Sequence, residues 1–314
     1  MQFGVQGSGQ WAEGAYAPDQ FAAIARAAER LGFDSLWAGD HLSFVHPILD
    51  PAVALATFAA VTQRITLGTG VLLLALRAPG AVAKQYASLD YLSGGRLVLG
   101  VGAGGDGAKD FELAGVPVAE RGARTDEAIE VLRTLWGSAS ATFDGRFTRF
   151  RDAPITPRPM QPGGPPILVG GRSAAALHRA GALGDGWLAY MVSADGFNRD
   201  IAIVRGHAER AGRDPEKAFA GIVLPISVGD HGDSARKRLR EHLSRRYGRP
   251  FERHHVERYA IAGTPDRVRE RLAEYASAGV EHVVLNPAGS SETMIDQLEA
   301  IAETVIEPDR RVER

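Results

Sequence analysis

The chain has 314 residues, 45% of them hydrophobic and 24% charged, with a formal net charge of −2 and no cysteine. The length is enough to bury a sizeable core. The missing cysteines exclude disulfides, thiolate nucleophiles, iron–sulfur clusters and cysteine zinc sites, and the balanced charge offers no footing for nucleic acid or anionic membrane as the main partner. The opening "MQFGVQGSGQW" has neither a basic nor an apolar leader, and no apolar run reaches the roughly 18 residues of a membrane helix. A single cytoplasmic domain over residues 1–314 is the expectation.

Eight short apolar runs read as strands in chain order: 2–6, 35–39, 65–73, 96–102, 166–170, 186–192, 219–228 and 282–287. They are apolar throughout rather than alternating, as strands buried on both faces of a parallel sheet are. Helical patterns fall between them. "PDQFAAIARAAERLG" opens on Pro18 and stops at Gly32, and "TPDRVRERLAEYASAG" opens on Thr264 and Pro265 and stops at Gly279. A recurring sequence of helix end, glycine, spacer and apolar strand ("ERLGFDSLW", "YLSGGRLVL", "GALGDGWLA", "ASAGVEHVV") predicts a (β/α)8 TIM barrel. Insertions are expected after strands 4 and 7. Residues 141–166 form a hairpin about Asp144-Gly145 and then a Pro-rich connector. Residues 230–262 are basic and partly helical, either a solvated face or a lid over the barrel mouth.

Barrel enzymes place their chemistry at the C-terminal strand ends. After strand two stand Asp40 and His41, a proton carrier beside a carboxylate that can orient it. Strand three carries Gly68 and Gly70, which mark a bulge, a close ligand approach or tight packing. Strand four ends in "LGVGAGGDGAKDF", where Gly102, Ala103, Gly104 and Gly105 leave exposed amides able to cradle a phosphate or a flat ring. Strand five ends in Gly170, Gly171, Arg172 and Ser173: a capped helix start with one cation, which reads as a phosphate site or as an ordinary cap with a surface Arg. None of the four lysines (84, 109, 217, 237) ends a strand, which argues against a Schiff base. The nine scattered histidines lead us to expect no metal. The hard chemistry then falls to a bound organic cofactor.

At these residues the chain resembles the luciferase-like oxidoreductases, which comprise bacterial luciferase, flavin-dependent monooxygenases and deazaflavin-dependent dehydrogenases and reductases. The resemblance rests on "LGFDSLWAGDH", "RITLGTGVLLLALRAP", "AKQYASLDYLSGGRLVLGVGAG", "ERGARTDEAIEVLRTLW", "PPILVGGRS" and "GTPDRVRERLAEYASAGVEHVVL". It implies a homodimeric barrel with a flavin or deazaflavin ring in its mouth. Asp40 and His41 would lie beside the ring, with Asp40 orienting His41. A non-prolyl cis peptide at Gly70–Val71 would buttress the ring. Gly102 to Gly105 would run along the cofactor side chain, and Gly170 to Ser173 would hold its phosphate. The "GDH" form and the lack of an Arg in the strand-four loop resemble the branch that uses coenzyme F420. FMN remains the alternative cofactor, with oxygen as co-substrate and a flavin reductase as partner. The sugar-phosphate dehydrogenases of the F420 branch carry a Glu in that loop; Gly105 stands there, followed by Asp106. The expected activity is hydride transfer to or from a small organic substrate, past walls that include Phe44, Trp187 and Tyr190. A non-enzymatic flavin-binding protein is the third possibility.

Overall fold

The computed structural model describes residues 1–8, 17–105, 107–290 and 292–306. In chain order the elements are β1 (Gln2–Ser8), α1 (Pro18–Leu31), β2 (Ser35–Ala38), α2 (Pro51–Val61), β3 (Thr66–Thr69), β4 (Leu72–Leu73), α3 (Pro79–Ser93), β5 (Leu97–Gly102), α4 (Ala108–Ala114), α5 (Arg121–Gly137), β6 (Ala141–Asp144), β7 (Arg149–Ala153), β8 (Ile167–Gly170), α6 (Ala174–Ala182), β9 (Gly186–Tyr190), α7 (Ala194–Arg210), β10 (Phe219–Val228), α8 (Gly232–Tyr247), α9 (Arg253–Tyr259), β11 (Ile261–Gly263), α10 (Pro265–Ser277), β12 (His282–Pro287) and α11 (Met294–Val305).

Strands β1, β2, β3, β5, β8, β9, β10 and β12 pair in parallel in that order, and β12 returns to β1. This closes the expected (β/α)8 barrel. Third in the ring, the strand expected as one run is interrupted. β3 stops at Thr69, the Gly70–Val71 peptide is cis, and β4 resumes for two residues against β5 before a 3-10 turn over Leu74–Leu76. The first insertion is the antiparallel hairpin β6–β7, tied to α5 because Glu127 accepts the amides of Arg146 and Phe147. The second contains α8, α9 and β11. There β11 pairs with Ile226–Val228, the outer end of the ten-residue β10.

Alternation along each strand divides the core in two. Outward side chains such as Val5, Leu36, Leu67, Leu99, Val283 and Leu285 pack under the helices. Inward ones fill the barrel: Trp37, Leu168, Leu188, Val223 and Val284, with Val71, Val98, Tyr190 and Phe219 against them. Gly68 is small for this reason. A Cβ there would stand 2.3 Å from the Trp37 indole, so the residue makes room for packing inside the barrel rather than for a ligand.

Below Trp37 the barrel is closed by polar bonds. Trp37 Nε1 donates to Ser35 Oγ at 2.6 Å, Ser35 Oγ lies 2.7 Å from His282 Nε2, and His282 Nδ1 lies 3.0 Å from Gln2 Oε1. One proton arrangement satisfies all of them: Ser35 donates to Nε2, and Nδ1 donates to Gln2. It requires a neutral imidazole. Burial accordingly pushes His282 from 6.5 down to about 4. His242 on α8 is also pushed to about 4, by burial and by the nearby Arg246 and Arg245.

Both histidines are neutral when folded and take up protons in the unfolded chain below pH 6.5. Stability therefore falls as pH drops from about 6.5 toward 4, by about 3 kcal/mol for each group. Urea unfolding at pH 7 and pH 4.5 checks this. We expect a smaller acid loss in His282→Gln than in the wild type, and an equal loss would show that His282 is not a source of it.

Candidate active site

β2 is buried along its whole length and ends at Ala38. The chain then crosses the C-terminal face without regular structure until Asp50, whose carboxylate caps α2 by accepting from Ala52 N at 2.9 Å. Asp40 and His41 open this loop, and their side chains go to different partners.

The Asp40 carboxylate is fully buried and takes a fork-to-fork grip from Arg77, with Nη1 to Oδ2 at 2.6 Å and Nη2 to Oδ1 at 2.8 Å. Oδ2 also accepts Leu73 N at 2.8 Å. Burial pushes its pKa above the ordinary value, and the Arg77 charge, the Arg77 bonds and the Leu73 amide oppose that push. Arg77 Nη2 reaches Asp50 as well, at 3.3 Å.

The carboxylate that holds His41 is Asp110, in the first turn of α4. Its Oδ2 lies 2.8 Å from His41 Nδ1, while Oδ1 accepts the amides of Leu42 and Ser43 at 2.8 and 2.7 Å. The Asp110 side chain is 2% exposed and that of His41 is 19% exposed. A carboxylate accepts, so Nδ1 carries the hydrogen, and in the neutral ring Nε2 presents its lone pair. Nε2 has no protein partner among the described residues. The expectation that Asp40 orients His41 is thus corrected, because both Asp40 oxygens are committed to Arg77 and Leu73. Sequence reasoning passed over Asp110 and Arg77. One available signal was Gly107: a Cβ there would stand 2.5 Å from Asp110 Oδ2, so the glycine lets this side chain fold back.

The glycines also sort differently from the expectation of bare backbone. Added Cβ atoms at Gly102 and Gly170 would stand 2.7 and 3.0 Å from the Val71 methyls. These two positions are small because the bulge pushes Val71 between them. Gly105 is open, since a Cβ there meets nothing within 4 Å. Ala103 and Gly104 complete the described part of this loop, and Asp106 lies outside the described residues. At the fifth strand end, Ser173 caps α6 by accepting Ala176 N at 3.2 Å. Gly171 has φ +107°, and its carbonyl accepts from Trp187 Nε1. Arg172 is exposed and lines a cavity of about 580 Å3 that reaches Met191, the Ser193 cap of α7, and Tyr259. Trp187 is fully buried on the outer side of the barrel, stacked on Phe197. It is not a mouth wall. Tyr190 is inward, and its hydroxyl bonds that of Tyr247 on α8. Phe44 stacks on His41 with ring centroids 4.3 Å apart.

This arrangement offers one imidazole, held through Nδ1, at the C-terminal end of the barrel beside a braced bulge, with a cavity to one side that basic and acidic side chains line together. It matches a known group. The chain belongs to the luciferase-like monooxygenase family, whose sequence pattern matches residues 1–282, and is an oxidoreductase of that family. An F420-dependent glucose-6-phosphate dehydrogenase of Beutenbergia cavernae is 30% identical over 338 residues, covering 95% of this chain and 96% of the relative. The monooxygenase RslO1 from Streptomyces bottropensis superposes with a TM-score of 0.86 at 26% identity, covering 98% of this chain and 99% of that one. The coenzyme F420-dependent tetrahydromethanopterin reductase of Methanopyrus kandleri shares the fold, with a TM-score of 0.80 at 22% identity over 97% and 98% of the two chains.

Removing the Asp40 charge leaves the Arg77 guanidinium poorly compensated in a buried place. Asp40→Asn is expected to cost about 3 kcal/mol of folding stability, read as a lower urea midpoint. A variant with wild-type stability would show that the pair does not hold the loop.

Proposed function

We propose that the protein moves a hydride between the deazaflavin coenzyme F420 and a small organic substrate, with His41 handling the accompanying proton. The observation that carries this reading is the His41–Asp110 pair, which fixes the tautomer and leaves Nε2 as an acceptor at the C-terminal end of the barrel. During oxidation of an alcohol, Nε2 takes the hydroxyl proton. During reduction, it returns that proton to a carbonyl oxygen. Asp110 orients the ring through Nδ1. Asp40 and Arg77 act one step back, holding the backbone on which the ring stands.

The residues present fit a deazaflavin. Gly70 and Val71 form a rigid bulge for a ring to lean on, braced through Leu73 by Asp40. Gly102 to Gly105 would border the side chain, with open space at Gly105. The amides after Gly170, the Ser173 helix start and Arg172 would meet a phosphate. When bound, F420 supplies hydride transfer and reacts poorly with oxygen. The relatives named for F420 support this choice, as does the absence of a cation in residues 102–105. For the assembly we propose a homodimer. α2 has no charged residue and exposes Val53, and neighbouring α3 exposes Leu92.

The likeness to RslO1 favours a second reading. In it FMN occupies the same mouth, oxygen is the co-substrate and a flavin reductase is the partner.

Parallel fluorescence titrations of the purified protein with F420 and with FMN separate the two. Micromolar binding of F420 with weak FMN is the expected outcome, and the reverse would overturn the deazaflavin reading. Replacing His41 by Ala or Asn should then lower turnover about a hundredfold while leaving the F420 affinity in place. Full turnover in either variant would remove His41 from the chemistry.

A further inference from the structure

The second insertion is not a solvated appendage. Leu239, Leu243, Phe251, Val256 and Ala260 bury an apolar face on Met191 and Ala288, which lie just past the C-terminal ends of β9 and β12. This seats α8 as a fixed roof beside the mouth. At the last turn of α8 the Arg245 carbonyl accepts a hydrogen bond from His46 Nε2 at 3.0 Å. The same carbonyl also accepts the amide of Gly248, the C-cap of α8, at 3.2 Å, so His46 adds a second donor to it at the negative end of the helix dipole.

His46 belongs to the loop that carries His41. Its ring meets Phe44 edge-on, with centroids 6.0 Å apart and planes at 63°. Phe44 in turn lies nearly parallel to His41, with centroids 4.3 Å apart and planes at 19°. Three rings therefore connect the candidate proton carrier to the roof. Residues 39–50 include no strand or helix, so side-chain anchors must hold the loop. Asp110 secures its start and Asp50 its end. The segment between them is fastened at His46.

We propose that His46 is a positioning residue: by hanging the loop on the α8 carbonyl it holds Phe44 flat on His41, and so makes the second insertion part of the catalytic geometry. Phe44 covers one face of the imidazole, Asp110 grips Nδ1, and Nε2 is left aimed by both. The inference rests on reading His41 as the proton-handling group, but its structural half is testable without cofactor or substrate.

The experiment is proton NMR of the His41 ring in the cofactor-free protein at one fixed pH. A stacked phenyl moves these resonances upfield, and Phe44→Leu should abolish that shift. His46→Ala and His46→Phe should each shrink it although Phe44 is intact, because neither side chain can donate to the carbonyl. His46→Gln, which can donate, should restore it. If F420 turnover is established, His46→Ala should lower kcat about tenfold, the scale expected for a slightly misplaced group, with F420 affinity unchanged and Gln again rescuing. Unmoved His41 resonances in His46→Ala and His46→Phe would overturn the inference while leaving the F420 reading intact. Failure to bind F420 would sink that reading and leave the NMR result standing.

Discussion

The mouth of this barrel depends on a buried ion pair. Asp40 leaves β2 at the point where a barrel strand would normally hand over to a free loop, and Arg77 meets it from beyond the bulge. The third strand breaks its ladder at Gly70–Val71, so the bulge needs bonds from outside the sheet. Asp40 supplies one to the Leu73 amide while taking two from Arg77. Arg77 carries the connection on to Asp50, the cap of α2. An irregular stretch is thereby locked by charge in addition to the short pairing of β4 with β5. Burial makes this costly for a lone carboxylate, and it makes the paired arrangement stiff because neither partner can leave without stranding the other.

Around that lock, space is exchanged between neighbours. Gly68 gives its volume to Trp37, and Gly102 and Gly170 give theirs to Val71. Read alone, a glycine-rich strand end suggests bare backbone for a ligand. Here part of the richness serves to receive a side chain pushed inward by the bulge, and open space begins further out, at Gly105.

The sequence makes the architecture legible because strands buried on both faces write themselves as apolar runs between capped helices. All eight runs became barrel strands, and His41 was legible because of where its strand ends. The partner of His41 was not. Asp110 lies 69 positions away on a seven-residue helix, and sequence adjacency favoured Asp40. Neighbours in a chain that leaves a strand often point apart, so proximity in sequence is a poor guide to hydrogen bonding in such a loop. Trp187 is a different failure. Period-two alternation with the inward Leu188 and Tyr190 assigns it to the outer face, away from the mouth where a wall was expected. The contact between His46 and α8 spans 199 positions and carries no local signal at all.

The polar plug of Ser35, Trp37, His282 and Gln2, under the packed layer of Leu168, Leu188, Val223 and Val284, closes the barrel from below. The site therefore has a floor, and ligands do not pass through the barrel. Two molecules that share the mouth must enter and depart by one door. The filling of the lower barrel thus limits access to the candidate site to its outer end, far from the side chains proposed to take part in the reaction.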